Sequence, residues 1–212
     1  MNEVLAKATN LKEVLDQKRP MNVNTLHSLQ KDYILRSTYH SNAIEGNTLT
    51  LNETKAILED GITIGGGKSL REHLEVINHR DAILYMESIT NNQISERDIR
   101  NLHAIILRGI HESAGSYRSE EVLIQGASHK VTPSYLIKEH ISDLLDWYET
   151  SIAHSEHPIV RAAKLHSKFV NVHPFLDGNG RTGRLIMNLE LVRCGYLPII
   201  IEVEARQDTM MR

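Results

Sequence analysis

The chain has 212 residues, of which 41% are hydrophobic and 24% charged, with a formal net charge of −3. That length suits one large domain, or a domain with an appended helical segment. The mixed charge leaves no broad basic face for nucleic acid and no polybasic segment for a membrane surface. No apolar run approaches the roughly 20 residues that span a bilayer. Met1 to Lys18 lacks a signal peptide's apolar stretch, and the single Cys194 has no internal disulfide partner, so the expected location is the reducing cytoplasm.

In chain order, apolar residues recur mostly at three- and four-residue intervals, which predicts a mainly α fold. Val4, Leu5, Leu11, Val14 and Leu15 mark a first helix that stops before Pro20. A second runs from about Asn24 towards Ile44, with Gly46 as its stop. Thr50 and Glu53 have capping-box spacing ahead of Ala56, Ile57 and Leu58. Gly65-Gly66-Gly67-Lys68-Ser69 ends like a P-loop, but Ile62 stands where that loop needs its first glycine. We read it as a surface connection. Leu70 to Leu84 mark a longer helix, and Ser95 and Asp98 open another that buries Ile99, Leu102, Ile105 and Ile106.

The helical period is lost between Gly115 and Pro133, where Val122, Leu123, Ile124 and Gln125 before Gly126 predict a short β-hairpin. Thr132-Pro133 starts a helix carrying Leu136 to Trp147, and Pro158 starts the one that delivers the chain to His173. Leu197-Pro198-Ile199-Ile200-Ile201 reads as a brief strand or an extended packing segment.

The chemistry concentrates in His173-Pro174-Phe175-Leu176-Asp177-Gly178-Asn179-Gly180-Arg181-Thr182-Gly183-Arg184, a loop running into a helix. Glycines let backbone N–H groups turn towards an anion, and a helix N-terminus favours negative charge. Asn179 and the amides of Gly178 to Arg181 are candidates to hold phosphate oxygens. Arg181 and Arg184 are three apart and share a face of the first turn, from which both address the distal phosphates. His173 titrates near neutrality and suits a base. Asp177 offers a hard oxygen to Mg²⁺, or to Mn²⁺ in its place.

This stretch resembles the signature of Fic domains, His-Pro-Phe-x-(Asp/Glu)-Gly-Asn-Gly-Arg-x-x-Arg, with every fixed position present. The resemblance runs from about Tyr39 to Arg206 and takes in Gly115-Ser116-Tyr117-Arg118, Asn188 and Gly195-Tyr196. It implies a Fic-type helical bundle with a β-hairpin flap, in which residues 61–212 form the catalytic core and 1–60 an N-terminal helical segment packed onto it. It implies transfer of AMP from ATP to a hydroxyl side chain of a protein. His173 would be the base, and residues 177–184, Thr182 and Gly183 among them, would bind the nucleotide. Val122, Leu123, Ile124 and Gln125 would hold the target segment by strand addition.

Ser41-Asn42-Ala43-Ile44-Glu45-Gly46 is similar to the family's inhibitory pattern, Ser/Thr-x-x-x-Glu-Gly/Asn, in the class where it precedes the core. By that analogy Ser41, Glu45 and Gly46 form a brake, with Glu45 pairing to Arg184. The resemblance also admits the reverse reaction, removal of AMP from a modified protein, and transfer of another nucleotide or phosphate-containing group. The target stays open and includes the chain itself, as does homo-oligomerisation. A tyrosine pair expected beyond Arg206 is replaced by Asp208-Thr209-Met210-Met211-Arg212, which leaves base preference open. A zinc hydrolase fits less well, because the 12 histidines include no His-Glu-x-x-His helix.

Overall fold

The computed structural model describes residues 2–91, 93–122, 131–150 and 155–205. Its helices are α1 (Asn2–Asp16), α2 (Val23–Ile44), α3 (Leu51–Lys55), α4 (Leu70–Ser88), α5 (Glu96–Ile106), α6 (Ile137–Glu149), α7 (Pro158–Val172) and α8 (Asn179–Arg193). Their starts follow from local chemistry. Thr50 with Glu53, Ser69 with Glu72 and Ser95 with Asp98 each close a reciprocal capping box, satisfying amides that the first turn leaves over. Pro158 sits in the first turn of α7, where its missing N–H costs nothing. Helix α3 runs on as a π turn over Ala56–Asp60 that closes at Gly61, φ 67°. Helix α6 is preceded by a short 3₁₀ turn, Ser134–Leu136, rather than starting at Pro133.

The core lies between α4, α5, α6, α7 and α8. Ile83 and Met86, Ile99 and Leu102, Ile137 and Ile141, Leu165 and Phe169, and Leu185 and Ile186 are all essentially inaccessible to water. Fully burying side chains of this size stabilises by roughly 1.5–3 kcal/mol each. Helix α2 exposes its first turns and buries its last. Thr38 Oγ1 meets His79 Nδ1 of α4 at 3.2 Å, and Asn42 donates to the Glu75 carbonyl at 3.2 Å. Helix α1 touches the far end of α8 through Thr9, 2.9 Å from His157 Nε2 and 3.3 Å from the Tyr196 hydroxyl.

The sequence reads two segments for strands. Residues 197–201 form no strand, which leaves the reading of a packing segment. Instead Asn188 of α8 accepts from Ile199 N and donates to Ile199 O, both at 2.9 Å, doing a strand's work with one amide side chain. No strand occurs among the described residues. Of the expected hairpin only Val122 is described, without regular structure, while Leu123, Ile124 and Gln125 lie outside the described residues. No helix among the described residues is long and apolar enough to cross a membrane.

Candidate active site

The site is the turn between α7 and α8. Helix α7 ends at His173, which takes the left-handed conformation with φ 50° and ψ 59°. This position is usually given to glycine, because a Cβ there costs roughly 1 kcal/mol or more. The strain turns the chain sharply and leaves the imidazole at the helix end. Arg118 holds the turn. It is 3% exposed, and its amide donates to Pro174 O and its Nε to His173 O, both at 2.9 Å. Its other guanidinium nitrogens reach the carbonyls of Glu120 and Thr132.

Behind the turn, Phe175 stacks on His103 with centroids 3.6 Å apart and planes 5° from parallel. His103 Nδ1 accepts from Gly115 N at 2.9 Å, so Nε2 carries the proton and donates to Asp177 O at 3.0 Å. Burial lowers the His103 pKa to about 4, against the opposing hydrogen bond to Asp177, which keeps this tautomer neutral.

The anion cradle is smaller than the sequence implies. Gly178 caps α8 at φ 75° and accepts from Thr182 N at 2.9 Å, the first bond of the helix. Helix geometry therefore leaves the amides of Asn179, Gly180 and Arg181 without an intrahelical partner. The Gly178 amide is not among them, because Asp177 Oδ1 takes it at 2.6 Å. The Asn179 side chain is likewise engaged within the loop. It is 2% exposed, accepts from Phe175 N at 3.0 Å and donates to Phe175 O at 2.8 Å, so both ends of its amide staple the loop.

Thr182 and Gly183 of the expected nucleotide set face the interior. Thr182 is fully buried with its amide used inside the helix. A Cβ on Gly183 would stand 3.1 Å from both His166 and Val170, so this glycine faces α7 and lets the two helices approach.

The two motif arginines point to different carboxylates. Arg181 is 1% exposed and lies 3.3 Å from Asp177 and 3.4 Å from Glu75. Its Nε and Nη1 are buried without hydrogen-bond partners among the described residues. Arg184 donates from Nε to Ser41 Oγ at 3.0 Å, and from Nη2 to Ser41 O at 2.9 Å and Glu45 Oε1 at 2.8 Å. The Glu45 carboxylate also lies over the helix start, since a Cβ on Gly180 would be 2.3 Å from Oε1. Thus Ser41 and Glu45, at the end of α2, occupy the ground an anion at α8 would use. Gly46 follows at φ 94° and lets the chain leave that helix end.

Electrostatics favour a neutral imidazole beside an ionised carboxylate. Burial lowers the His173 pKa and nearby Arg118 adds to this, while the Val170 backbone, Glu45 and Asp177 oppose it. Its Nδ1 is buried, with the Val170 backbone as its electrostatic support rather than a well-formed hydrogen bond, so Nε2 is the nitrogen left for a substrate. For Asp177, burial pushes the carboxyl up, but Arg181, the Gly178 amide and Arg71 outweigh it and hold it below its ordinary value. Arg71 and Glu75, together with Arg118 and His103, are contributors that periodicity did not reveal.

Residues 93–191 match the Fic/DOC family. The chain is 39% identical over 221 residues to "Protein adenylyltransferase fic-1" of Caenorhabditis elegans, covering 96% of this chain and 43% of that protein. It is 39% identical over 182 residues to "Protein adenylyltransferase Fic" of Nematostella vectensis, covering 84% and 42%. Among solved structures, Fic-1 (residues 134–508) of C. elegans superposes with a TM-score of 0.85 at 37% identity, covering 97% of this chain and 61% of that one. A Fic-domain-containing signaling protein of Bacteroides thetaiotaomicron superposes with a TM-score of 0.87 at 28% identity, covering 98% and 79%. The chain spans less than half the length of the two curated relatives.

Proposed function

The chain belongs to the Fic/DOC family, and from that premise we propose that it is a self-inhibited protein adenylyltransferase. The observation that carries the reading is the open amide set of Asn179, Gly180 and Arg181 beside the His173 imidazole, with Glu45 lying over it.

In this reading the triphosphate lies at the start of α8. Arg181 brings two unsatisfied buried N–H groups, and Arg184 is the partner Glu45 competes for. The hydroxyl oxygen of a protein side chain attacks the α-phosphorus and gives its proton to His173 Nε2. The bond from that phosphorus to the bridging oxygen breaks, and pyrophosphate leaves with the electron pair. Preorganised amides and guanidiniums aimed at the phosphates lower the barrier because they need no reorganisation as charge moves. Asp177, ionised and supplying hard oxygens, fits Mg²⁺ or Mn²⁺, each of which takes its other ligands from water and substrate phosphates. Such an ion would neutralise phosphate charge when bound.

Residues 1–60 then carry the brake and 61–212 the catalytic core, while Val122, Leu123, Ile124 and Gln125 guide the target peptide. The acceptor is a Tyr, Thr or Ser of another protein or of this chain. Removal of AMP is the second reading, favoured by one observation: the Glu45 carboxylate lies over the start of α8, beside the turn that carries His173.

The test compares wild type, Glu45→Gly and His173→Ala with labelled ATP and a cell lysate, reading intact mass and gel bands. Glu45→Gly is expected to raise AMP incorporation by on the order of tenfold or more, since one charge-assisted contact is worth about 1.5–3 kcal/mol. His173→Ala is expected to abolish it. Equal or lower incorporation by Glu45→Gly rejects the brake, and no incorporation by any active-site-intact protein rejects the transferase.

A further inference from the structure

Asp177 is not free in this structure, and its partners differ in one decisive respect. Oδ1 is held from within the fold, by the Gly178 amide at 2.6 Å and by the buried Arg181 at 3.3 Å. Oδ2 is held from outside, by Arg71 Nη2 of α4 at 2.7 Å. The Arg71 side chain is 58% exposed, whereas that of Arg181 is 1% exposed. Arg71 also has a second anchor on its own helix, since its Nε donates to Glu75 Oε1 at 3.0 Å. Glu75 is in turn steadied by Asn47 Nδ2 at 2.9 Å.

A guanidinium and a divalent cation both need the same outward-facing oxygen and repel each other there. Arg181 has no room to leave; Arg71 has, because its fork reaches solvent while its Nε keeps Glu75. We propose that Arg71 is a positioning residue that occupies Asp177 Oδ2 in the resting protein and withdraws when a divalent cation binds, so that it sets the cation affinity of the site. This rests on the reading of Asp177 given above and adds to it a residue from a different helix that acts before any nucleotide chemistry. The Glu45 contact restrains Arg184 and the α8 amides; the Arg71 contact restrains the carboxylate. The two restraints are carried by separate helices, α2 and α4, and neither residue touches the other's partner among the contacts described.

The experiment titrates Mn²⁺ into the full chain with a non-hydrolysable ATP analogue at low ionic strength, counting free Mn²⁺ by its electron paramagnetic resonance signal. Wild type is compared with Arg71→Met, Arg71→Gln, Arg71→Lys and Asp177→Asn, with melting temperatures as the check on folding. The two neutral variants are expected to bind Mn²⁺ about fivefold more tightly than wild type, as removal of one like charge a few ångströms away implies. Arg71→Lys is expected to stay near wild type, and Asp177→Asn to lose the site. A well-folded Arg71→Met and Arg71→Gln with wild-type affinity would overturn the role of Arg71 and leave the transferase reading intact. Unchanged Mn²⁺ binding in Asp177→Asn, or none in any protein, would overturn both this inference and the metal assignment of Asp177. AMP incorporation, measured separately, then reports on the transferase itself.

Discussion

At the scale of single residues, the motif divides into groups left open to a ligand and groups that shape the loop, and burial marks much of the division. Asn179 is the clearest example. Its carboxamide joins the N–H and C=O of Phe175 at 3.0 and 2.8 Å, in a place 2% exposed. An Asn179→Ala protein would leave two buried backbone groups unpaired, each costing about 1–3 kcal/mol. We expect a loss of roughly 2–4 kcal/mol in urea denaturation, with AMP transfer falling because the α8 amides lose their position. A loss under about 1 kcal/mol would mean that the loop holds its shape without this staple. The residues themselves were legible because they are contiguous and chemically distinctive. Their division of labour was not, because a side chain's partner is a matter of three dimensions. The same holds for Arg71, Glu75 and His103, which come from other elements and carry no local pattern that marks them, while Arg118 was marked only by the motif Gly115-Ser116-Tyr117-Arg118 and not by its partners.

At the scale of elements, the geometry of the candidate site is the geometry of one helix pair. Helices α7 and α8 approach closely where Gly183 faces His166, Phe169 and Val170. The helix ends were readable beforehand where capping chemistry is local, as at Thr50, Ser95 and Pro158. The left-handed turn at His173 was not, because propensity would put glycine there and the chain carries an imidazole instead. Gly183→Ala tests how tightly the pair is set. Its new Cβ would meet His166 and Val170 at 3.1 Å and Phe169 at 3.3 Å, closer than ordinary contact. Overpacking of this kind typically costs about 1–3 kcal/mol. We expect a destabilisation in that range together with weaker binding of a fluorescent ATP analogue, since α8 carries the amides. Stability and nucleotide affinity both equal to wild type would show that the pair has slack to absorb a methyl group.

At the scale of the whole molecule, three helices around α8 each carry a histidine whose pKa desolvation lowers, two of them fully buried and His166 half-buried. His79 of α4 is lowered to about 3, with Arg184 and Arg181 adding to the effect. His103 of α5 and His166 of α7 are each lowered to about 4. The site's arginines thus stand among imidazoles that resist becoming a further positive charge. The sign of the consequence is fixed. A histidine whose folded pKa lies below its unfolded value of roughly 6.5 binds protons first in the unfolded state, so folding loses stability as pH falls below that value. The loss continues until pH reaches the folded pKa, near 3 for His79 and near 4 for His103. His79 and His103, 1% and 0% exposed, together set a slope of up to about 2–3 kcal/mol per pH unit. Against a typical total of about 5–15 kcal/mol, that is enough to bring the protein near unfolding within two or three pH units. Carboxylates held low, Glu72 at about 2 and Asp177 among them, begin to act only in more acid solution. Unfolding free energies from urea denaturation at pH 7.5 and 5.5 should therefore differ by well over 1 kcal/mol in the direction of acid instability, with the midpoint lower at pH 5.5. Equal midpoints would mean that these imidazoles take up protons in the folded state, and the packing around α8 would be looser than described.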